Sequence, residues 1–168
     1  GKAKLQAELG VSKEKANELF TIYHERVPFV KTLMNSVSNR AQQRGQIRTL
    51  LGRLCRFHLW EPNQFGVHKA LPFDQARQEY GAGIKRAYTY KALNKLIQGS
   101  AADMTKKSML ELYKEGIVAH IQVHDELDIS VEDDKKAEQI KQIMESAVEL
   151  EIPNKVDYES GKNWGDIK

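Results

Sequence analysis

Apolar and polar residues alternate along the stretch 116–131, GIVAHIQVHDELDISV. Apolar residues occupy every second position on both sides of a short charged break: Ile117, Ala119, Ile121 and Val123, then Leu127, Ile129 and Val131. Alternation with a period of two is typical of half-buried strands, so the pattern predicts two antiparallel strands joined by a tight turn. His124, Asp125 and Glu126 lie at or beside the predicted turn.

Other segments show helical spacing of apolar residues or the residues that end helices and make turns. The first half of the chain is predicted to contain a helix at 4–9 ended by Gly10, a helix capped by Ser12, a helix opened by Pro28, a hairpin at 46–57 turning near Gly52, and a long irregular loop at 58–82. The second half is predicted to contain a long helix at 83–114, an amphipathic helix at 132–150 and a short strand at 156–158.

Composition places the chain among ordinary globular domains. Of its 168 residues 40% are hydrophobic and 29% are charged, which fits one folded domain with a core. Apolar runs are shorter than the roughly 18 residues that a membrane span needs, so no membrane association is expected. Cys55 is the single cysteine, which excludes a disulfide framework and fits a reducing cytoplasm.

The two halves of the chain carry opposite charge. Residues 1–92 contain 16 lysines and arginines against 7 aspartates and glutamates, whereas residues 93–168 contain 10 against 16. A basic half joined to an acidic half suits a polyanionic partner that also requires a metal ion. Such a division also arises from ordinary surface charge, so it supports that interpretation without deciding it.

Two adjacent carboxylates stand at the tip of the predicted 117–131 hairpin. A rigid hairpin that fixes Asp125 and Glu126 suits Mg²⁺, which prefers hard oxygen ligands and is usually held by one or two carboxylates plus substrate phosphates. The simpler interpretation is a solvated acidic turn, and taken alone this pair of residues favours it.

Small residues follow polar ones on the long helix. Lys91, Asn94 or Lys95, and Gln98 share one stripe, and Gly99 and Ser100 come next although both weaken a helix interior. Small size at these positions indicates that something approaches closely, either the neighbouring hairpin or a nucleic acid. Exposed amides of Asn and Gln can read acceptors at the edge of a groove.

Four segments together resemble the family A DNA polymerases, the group of bacterial DNA polymerase I and many phage replicative enzymes. QVHDEL is similar to the family's motif C, and NKLIQGSAAD is similar to the helix that precedes it. RGQIRTLLGR resembles the hairpin that leads from the fingers to the palm, and GKNWGDIK resembles the C-terminal ending. The segments stand in the family's order.

The resemblance implies an α+β fold, with an antiparallel palm sheet whose catalytic hairpin packs on long helices. It implies remaining fingers helices and a return helix at 1–44, and palm at 45–168 with 58–82 as an inserted loop. The implied activity is template-directed transfer of nucleotides from dNTPs to a primer 3′-hydroxyl with two Mg²⁺ ions, and the implied partner is primer–template DNA.

The resemblance also implies a role for each matching residue. Asp125 is implied as the metal ligand and Glu126 as a supporting catalytic carboxylate. The residues implied to contact DNA are Arg53, Asn94, Gln98, Gln122 and His124. Gln122 and His124 would lie near the primer terminus, Asn94 and Gln98 at the minor-groove edge of the newest base pairs, and Arg53 against the backbone or groove.

Two parts of the family pattern are absent from the sequence: the aspartate motif of the type D-Y-S-x-x-E and the fingers helix that holds the incoming triphosphate. The chain is therefore expected to be a fragment or one part of a split polymerase, and to be inactive without the missing N-terminal portion. Trp60, Phe65, His68 and Lys69 suggest that the 58–82 loop touches duplex DNA or a partner protein.

Two alternatives use the same residues. A non-catalytic DNA-binding module of the same ancestry would keep Arg48, Arg53, Asn94 and Gln98 but would not require carboxylates at the hairpin tip. A metal-dependent phosphohydrolase would use His120, His124 and Asp125, yet its ligands usually lie on helices together with further His and Asp residues.

Overall fold

The structure is a computed structural model that describes residues 2–64 and 69–167. Phe65 and His68, which contribute to the hypothesis about the 58–82 loop, lie outside the described residues. The chain forms two compact units: Gly1–Ile47 with Leu54–Lys95, and Arg48–Arg53 with Leu96–Lys168. These units divide the chain at places other than the predicted boundary between residues 44 and 45, and that division into polymerase regions stays a prediction.

Three helices begin the first unit, and local sequence fixes their ends. They are α1 (Lys2–Leu9), α2 (Lys13–Arg26) and α3 (Pro28–Arg44). The Ser12 hydroxyl accepts from the Lys15 N–H at 3.1 Å, which satisfies one of the unpaired donors at the start of α2. Gly45 ends α3 in the left-handed conformation, and its N–H donates to the Ala41 carbonyl. The predicted cap of α2 at Ser12, the start of α3 at Pro28 and its end at Gly45 are confirmed, whereas α1 begins two residues before the predicted start at residue 4.

A hairpin follows, with β1 (Gln46–Arg48) and β2 (Leu54–Arg56) forming a two-stranded sheet. Gly52 lies in its turn with a φ of 88°, as the sequence predicts.

The segment 58–82 is not an irregular loop in its described parts, residues 58–64 and 69–82, so that prediction is wrong there. It contains β3 (Leu59–Pro62), β4 (Leu71–Pro72) and α4 (Phe73–Tyr80). The strand β3 pairs antiparallel with β4 on one side and with β5 (Ile84–Arg86) on the other. Pro62 and Pro72 stand at strand ends, where proline disturbs the pairing least.

Arg86 joins several parts of the first unit. Its Nη1 donates to the Phe57 carbonyl at 2.9 Å and its Nε to the Gln42 carbonyl at 3.2 Å. The guanidinium carbon lies 4.5 Å from the centre of the Trp60 ring, a cation–π contact. The end of α3, the β2–β3 connection and β5 are thereby held together by one side chain.

The long helix is shorter than predicted. Residues 83–91 contain β5 and one turn of 3-10 helix, and α5 runs from Ala92 to Lys114. Tyr88 has a φ of 61°, which interrupts any continuous right-handed helix before that point. The helical prediction for residues 83–91 is therefore wrong, whereas the remainder of the helix is confirmed.

The second unit contains most of α5, the hairpin of β6 (Ile121–Val123) and β7 (Glu126–Asp128), and α6 (Asp134–Ser146). The hairpin is antiparallel as predicted, and α6 lies inside the predicted range with Asp133 as its cap. Its core consists of apolar residues from α5, α6 and the hairpin region: Leu112, Ile117 and Ile140, with Leu127, Ile129, Ile143 and Met144 packed around them.

Three details of this unit differ from expectation. The strands are three residues long, and Ile121 and Val123 are 42% and 39% exposed, so β6 is not half-buried. Val156 lies in no strand; instead its N–H donates to the Glu145 carboxylate at 3.1 Å. A side-chain acceptor on α6 satisfies this backbone donor where a neighbouring strand was expected.

The fold class is confirmed as helices combined with small antiparallel sheets. Across residues 2–64 and 69–167, no helix is long and apolar enough to cross a membrane.

Candidate functional site

The tip of the β6–β7 hairpin is a two-residue turn made by His124 and Asp125. Val123 pairs with Glu126 across it, so Glu126 is the first residue of β7. His124 has a φ of 53°, a left-handed conformation that costs a non-glycine residue roughly 1–2 kcal/mol. Strain of this kind, at a place where Asn-Gly would turn freely, points to a function for the side chains at the tip.

Polar side chains surround this turn. The Gln122 amide Nε2 donates to the His124 carbonyl at 2.6 Å, which ties the side chain to the backbone that carries Asp125. Gln122, His124, Asp125 and Glu126 are all exposed. The hairpin therefore presents two carboxylates, an amide and an imidazole to an approaching ligand, on a backbone fixed by strand pairing.

The two carboxylates do not by themselves complete a metal site. Their oxygens are the hard donors that Mg²⁺ prefers, and adjacent residues at a hairpin tip can supply one or two ligands. No group of three or more His, Cys, Asp or Glu residues able to hold a metal ion occurs in the part of the chain that the structure describes. The chemistry of the Asp125 carboxylate fits Mg²⁺, but the other ligands of such a site are not found beside it among the described residues.

The phosphohydrolase alternative is not supported by the geometry. The His120 Nε2 lies 3.0 Å from the Ser130 hydroxyl, and within the described residues His120, His124 and Asp125 do not form a group able to hold a metal ion.

A second cluster fixes the turn of the β1–β2 hairpin, residues 48–53, on α5. The Thr49 hydroxyl donates to one oxygen of Asp103, and the Arg53 Nε donates to the other at 2.6 Å. The Arg53 Nη2 also donates to the Gly99 carbonyl at 2.8 Å, and the Leu50 N–H donates to the Ser100 hydroxyl at 2.9 Å. The turn is thus bound to one face of the helix through these four hydrogen bonds.

Asp103 is the buried centre of this cluster, with 7% of its surface exposed. Burial alone would disfavour its charge, but hydrogen bonds from Thr49 and Arg53 and the positive charges of Arg53 and Lys106 outweigh it. Together they hold the pKa of the Asp103 carboxyl below its ordinary value. Asp103 therefore carries a full negative charge at neutral pH, which strengthens its bonds to Thr49 and Arg53.

The sequence reasoning missed Thr49 and Asp103. The available signal was an aspartate in the middle of the helical stretch GSAADMT, where a short acidic side chain is unfavourable unless it has a partner. The close approach predicted at Gly99 and Ser100 is made by the β1–β2 hairpin rather than by the neighbouring β6–β7 hairpin. A Cβ on Gly99 would lie 2.9 Å from the Thr49 methyl carbon and 3.4 Å from the Arg53 Nη2.

Gly99→Ala is expected to lower the free energy of unfolding by up to about 2 kcal/mol. Alanine gains about 1 kcal/mol in helix propensity, but the overpacking against Thr49 costs up to about 3 kcal/mol because the Thr49 hydroxyl is bound to Asp103. Denaturant unfolding of both proteins measures the difference.

The matched control is Thr49→Ser, which removes the methyl group and keeps the hydroxyl. The double variant Gly99→Ala with Thr49→Ser is expected to be more stable than Gly99→Ala alone. Equal instability of the single and double variants would contradict the clash as the cause.

The remaining predicted contact residues lie on α5. Asn94 and Gln98 are four residues apart on this helix, and both are exposed. The Arg53 side chain is 47% exposed although it is bound to Asp103. The structure therefore leaves every predicted DNA-contacting residue accessible, and their contacts with DNA stay predictions.

Comparison with known proteins identifies the family. The sequence model for DNA polymerase family A matches residues 1–166. The chain belongs to DNA polymerase family A. It is 37% identical over 147 residues to a DNA-directed DNA polymerase of Pseudomonas phage M6, a match that covers 88% of the chain and 19% of the relative. It is 33% identical over 173 residues to DNA polymerase I of Bacillus caldotenax, covering 98% of the chain and 18% of the relative.

A solved structure supports the same assignment to family A. The POL domain of Pol1 from M. smegmatis, in a complex with DNA primer-template and dNTP, superimposes with a TM-score of 0.72 at 27% identity. The match covers 99% of this chain and 28% of that one. The family A resemblance inferred from four motifs is thus confirmed. The chain spans about a fifth of the length of the curated relatives that it matches.

Proposed function

We propose that this chain forms part of the active centre of a DNA-directed DNA polymerase, which transfers nucleotides from dNTPs to a primer 3′-hydroxyl. The observation that carries the proposal is Asp125, exposed at the strained tip of a rigid hairpin in a family A chain. The phage and Bacillus relatives are named DNA polymerases, and the solved relative is a complex with DNA primer-template and dNTP.

In this proposal Asp125 binds Mg²⁺, and Glu126 is a supporting carboxylate beside it. The metal ions, when bound, would favour ionisation of the primer hydroxyl and stabilise charge on the leaving pyrophosphate. Gln122 and His124 would orient the primer terminus. The hydrogen bond from the Gln122 amide to the His124 carbonyl holds the turn that carries both side chains. Asn94 and Gln98 would donate to minor-groove acceptors, which are largely shared by all correct base pairs.

The proposal assigns residues 1–44 to fingers helices and a return helix, and residues 45–168 to the palm. The second metal-binding aspartate and the residues that hold the triphosphate would come from polypeptide outside these 168 residues. Because one carboxylate pair cannot hold two metal ions, the isolated chain is expected to be inactive.

Primer extension with Mg²⁺ and all four dNTPs tests the proposed activity. Three samples are compared: the chain alone, a polypeptide carrying the D-Y-S-x-x-E motif and the fingers helix alone, and the two mixed. A chimera in which this chain replaces the matching region of the Bacillus caldotenax enzyme provides the same test without depending on association. We expect extension only in the mixture or the chimera.

Two other results would count against parts of this proposal. Extension by the chain alone would overturn the proposed incompleteness of the site. A folded chimera that binds primer–template but extends no primer would overturn the catalytic proposal and favour the alternative, a non-catalytic DNA-binding module of the same ancestry.

A further inference from the structure

Arg53 is both exposed and fixed. Nearly half of its side-chain surface is accessible, yet its Nε is bound to Asp103 and its Nη2 to the Gly99 carbonyl. Its own backbone is also held, because its N–H donates to the Thr49 hydroxyl at 3.0 Å and its carbonyl accepts from the Thr49 N–H at 2.9 Å. An arginine on a hairpin turn is ordinarily mobile, so this degree of fixation points to a role for its orientation.

The bonds leave part of the guanidinium available. An arginine side chain has five N–H donors, and the bonds to Asp103 and Gly99 use two of them. Both N–H groups of Nη1 and one of Nη2 remain for a partner from outside the described residues. The planar fork of Arg53 therefore has one edge turned to the protein and another edge able to meet an acceptor.

We propose that Asp103 is a positioning residue for DNA binding: it holds the Arg53 guanidinium in one orientation on α5, so that the outer edge donates to duplex primer–template DNA. This inference rests on the proposed polymerase function and extends it to a residue that does not itself touch the nucleic acid. Asp103 is suited to the role because it is buried and binds Arg53 and Thr49 with its two separate oxygens.

The physical benefit is that the side chain is ordered before binding. Immobilising a flexible side chain at an interface carries an entropic cost, and that cost is avoided when a bond within the protein has already fixed the side chain. The effect of Asp103 as a charge has the opposite sign, because a carboxylate weakens the attraction of the protein for phosphate. The direction of the change in affinity on removing this charge therefore distinguishes positioning from simple electrostatics.

The test measures the affinity of the whole chain for a fluorescent primer–template duplex. Salt is held constant, and the temperature is kept below the thermal unfolding midpoint of every variant. We expect Asp103→Asn to weaken binding by about two- to tenfold, the range that corresponds to ordering one long side chain. In an Arg53→Ala background the same substitution is expected to change affinity by less than about twofold, because Asp103 acts through Arg53.

Two control variants test whether weaker DNA binding is specific to Asp103→Asn. One removes a different hydrogen bond between the turn and α5, and the other removes a different negative charge from α5. Ser100→Ala removes the bond between Ser100 and the Leu50 N–H while leaving the Arg53–Asp103 pair, and it is expected to leave affinity unchanged. Glu111→Gln removes one negative charge from the same helix at a site that pairs with Lys107 and Lys114, and it is expected to leave affinity unchanged or to raise it slightly.

Arg53→Lys keeps the inference testable if Asp103→Asn does not fold. Lysine keeps the charge but cannot bind Asp103 and Gly99 through two nitrogens of a planar fork. Wild-type affinity in Arg53→Lys overturns the inference, because a positive charge without the fixed planar fork would then be sufficient for binding.

The remaining outcomes are also decisive. Unchanged or tighter DNA binding by folded Asp103→Asn overturns the inference and leaves the proposed function in place. The same holds if Asp103→Asn weakens binding equally in the wild-type and Arg53→Ala backgrounds. Failure of the wild-type chain itself to bind the duplex overturns the proposed DNA contacts of this chain and the inference with them.

Discussion

Asp125→Asn is expected to reduce primer extension by the reconstituted polymerase on the order of a thousandfold or more. The asparagine keeps the size of the side chain but removes the charged oxygen that suits Mg²⁺, and a metal ion supplies several kcal/mol of charge stabilisation at the transition state. Since Asp125 is exposed in the turn itself, the substitution removes no buried contact, and the unfolding midpoint is expected to stay the same. Single-turnover extension, with unfolding measured in parallel, tests both expectations.

The matched control is Asp128→Asn on the same hairpin. Asp128 lies in β7 opposite Ile121, three residues from Asp125, so the variant changes the charge of the hairpin equally without altering its tip. Asp128→Asn is expected to extend the primer at a near-normal rate. The rate of Glu126→Gln is expected to lie between those of Asp125→Asn and Asp128→Asn. A similar loss in both aspartate variants would show that the charge of the hairpin, rather than a ligand at position 125, supports activity.

Gly45→Ala is expected to lower the free energy of unfolding by about 2–5 kcal/mol. A left-handed backbone costs alanine about 1–2 kcal/mol, and overpacking adds about 1–3 kcal/mol. The added methyl group would stand 2.6 Å from the guanidinium carbon of Arg86. Arg86 cannot move aside cheaply, because its hydrogen bonds to Gln42 and Phe57 and its contact with Trp60 would be lost. Denaturant unfolding measures the loss.

Gly10 provides the control for this substitution. It has nearly the same φ, 62° against 67°, but among the described residues no atom outside its two chain neighbours lies within 4 Å of a Cβ built on it. Gly10→Ala therefore reports the cost of the backbone conformation alone, about 1–2 kcal/mol. Equal losses of stability in Gly45→Ala and Gly10→Ala would mean that the close approach of Arg86 adds nothing to the cost of Gly45→Ala. The Arg86 side chain would then be able to move away from the added methyl group.

The elements that the sequence predicts correctly are those governed by local interactions. Ser12 caps α2 through its own hydroxyl, Pro28 opens α3, and Gly45 ends it, so each boundary depends on one residue and its immediate neighbours. The β6–β7 hairpin is also predicted by the alternation of apolar residues, although Ile121 and Val123 are exposed rather than half-buried. The family assignment needed no tertiary information either, because four motifs in the correct order carried it.

The errors occur where tertiary pairing determines the conformation. Ile84–Arg86 has helical spacing with the residues that follow it, but it becomes a strand because β3 pairs with it across more than twenty residues of sequence. The segment 58–82 contains prolines and glycines that suggest a loop, yet its residues Leu59–Pro62 form β3 and pair with Leu71–Pro72.

The role of Asp103 depends on tertiary contacts in the same way. Its partners Thr49 and Arg53 belong to a different hairpin, so only the folded chain reveals why an acid is tolerated within the helix.

The attachment of the hairpin turn to α5 also bears on the order of folding. Thr49 and Asp103 are 54 positions apart in the sequence, whereas the pairing of Thr49 with Arg53 spans only four. Local hairpins form in microseconds, and contacts between distant residues must first overcome the entropy of closing a long loop. We therefore expect the turn to take its shape early and to be tethered late, when α5 arrives with Asp103 already on its inner face.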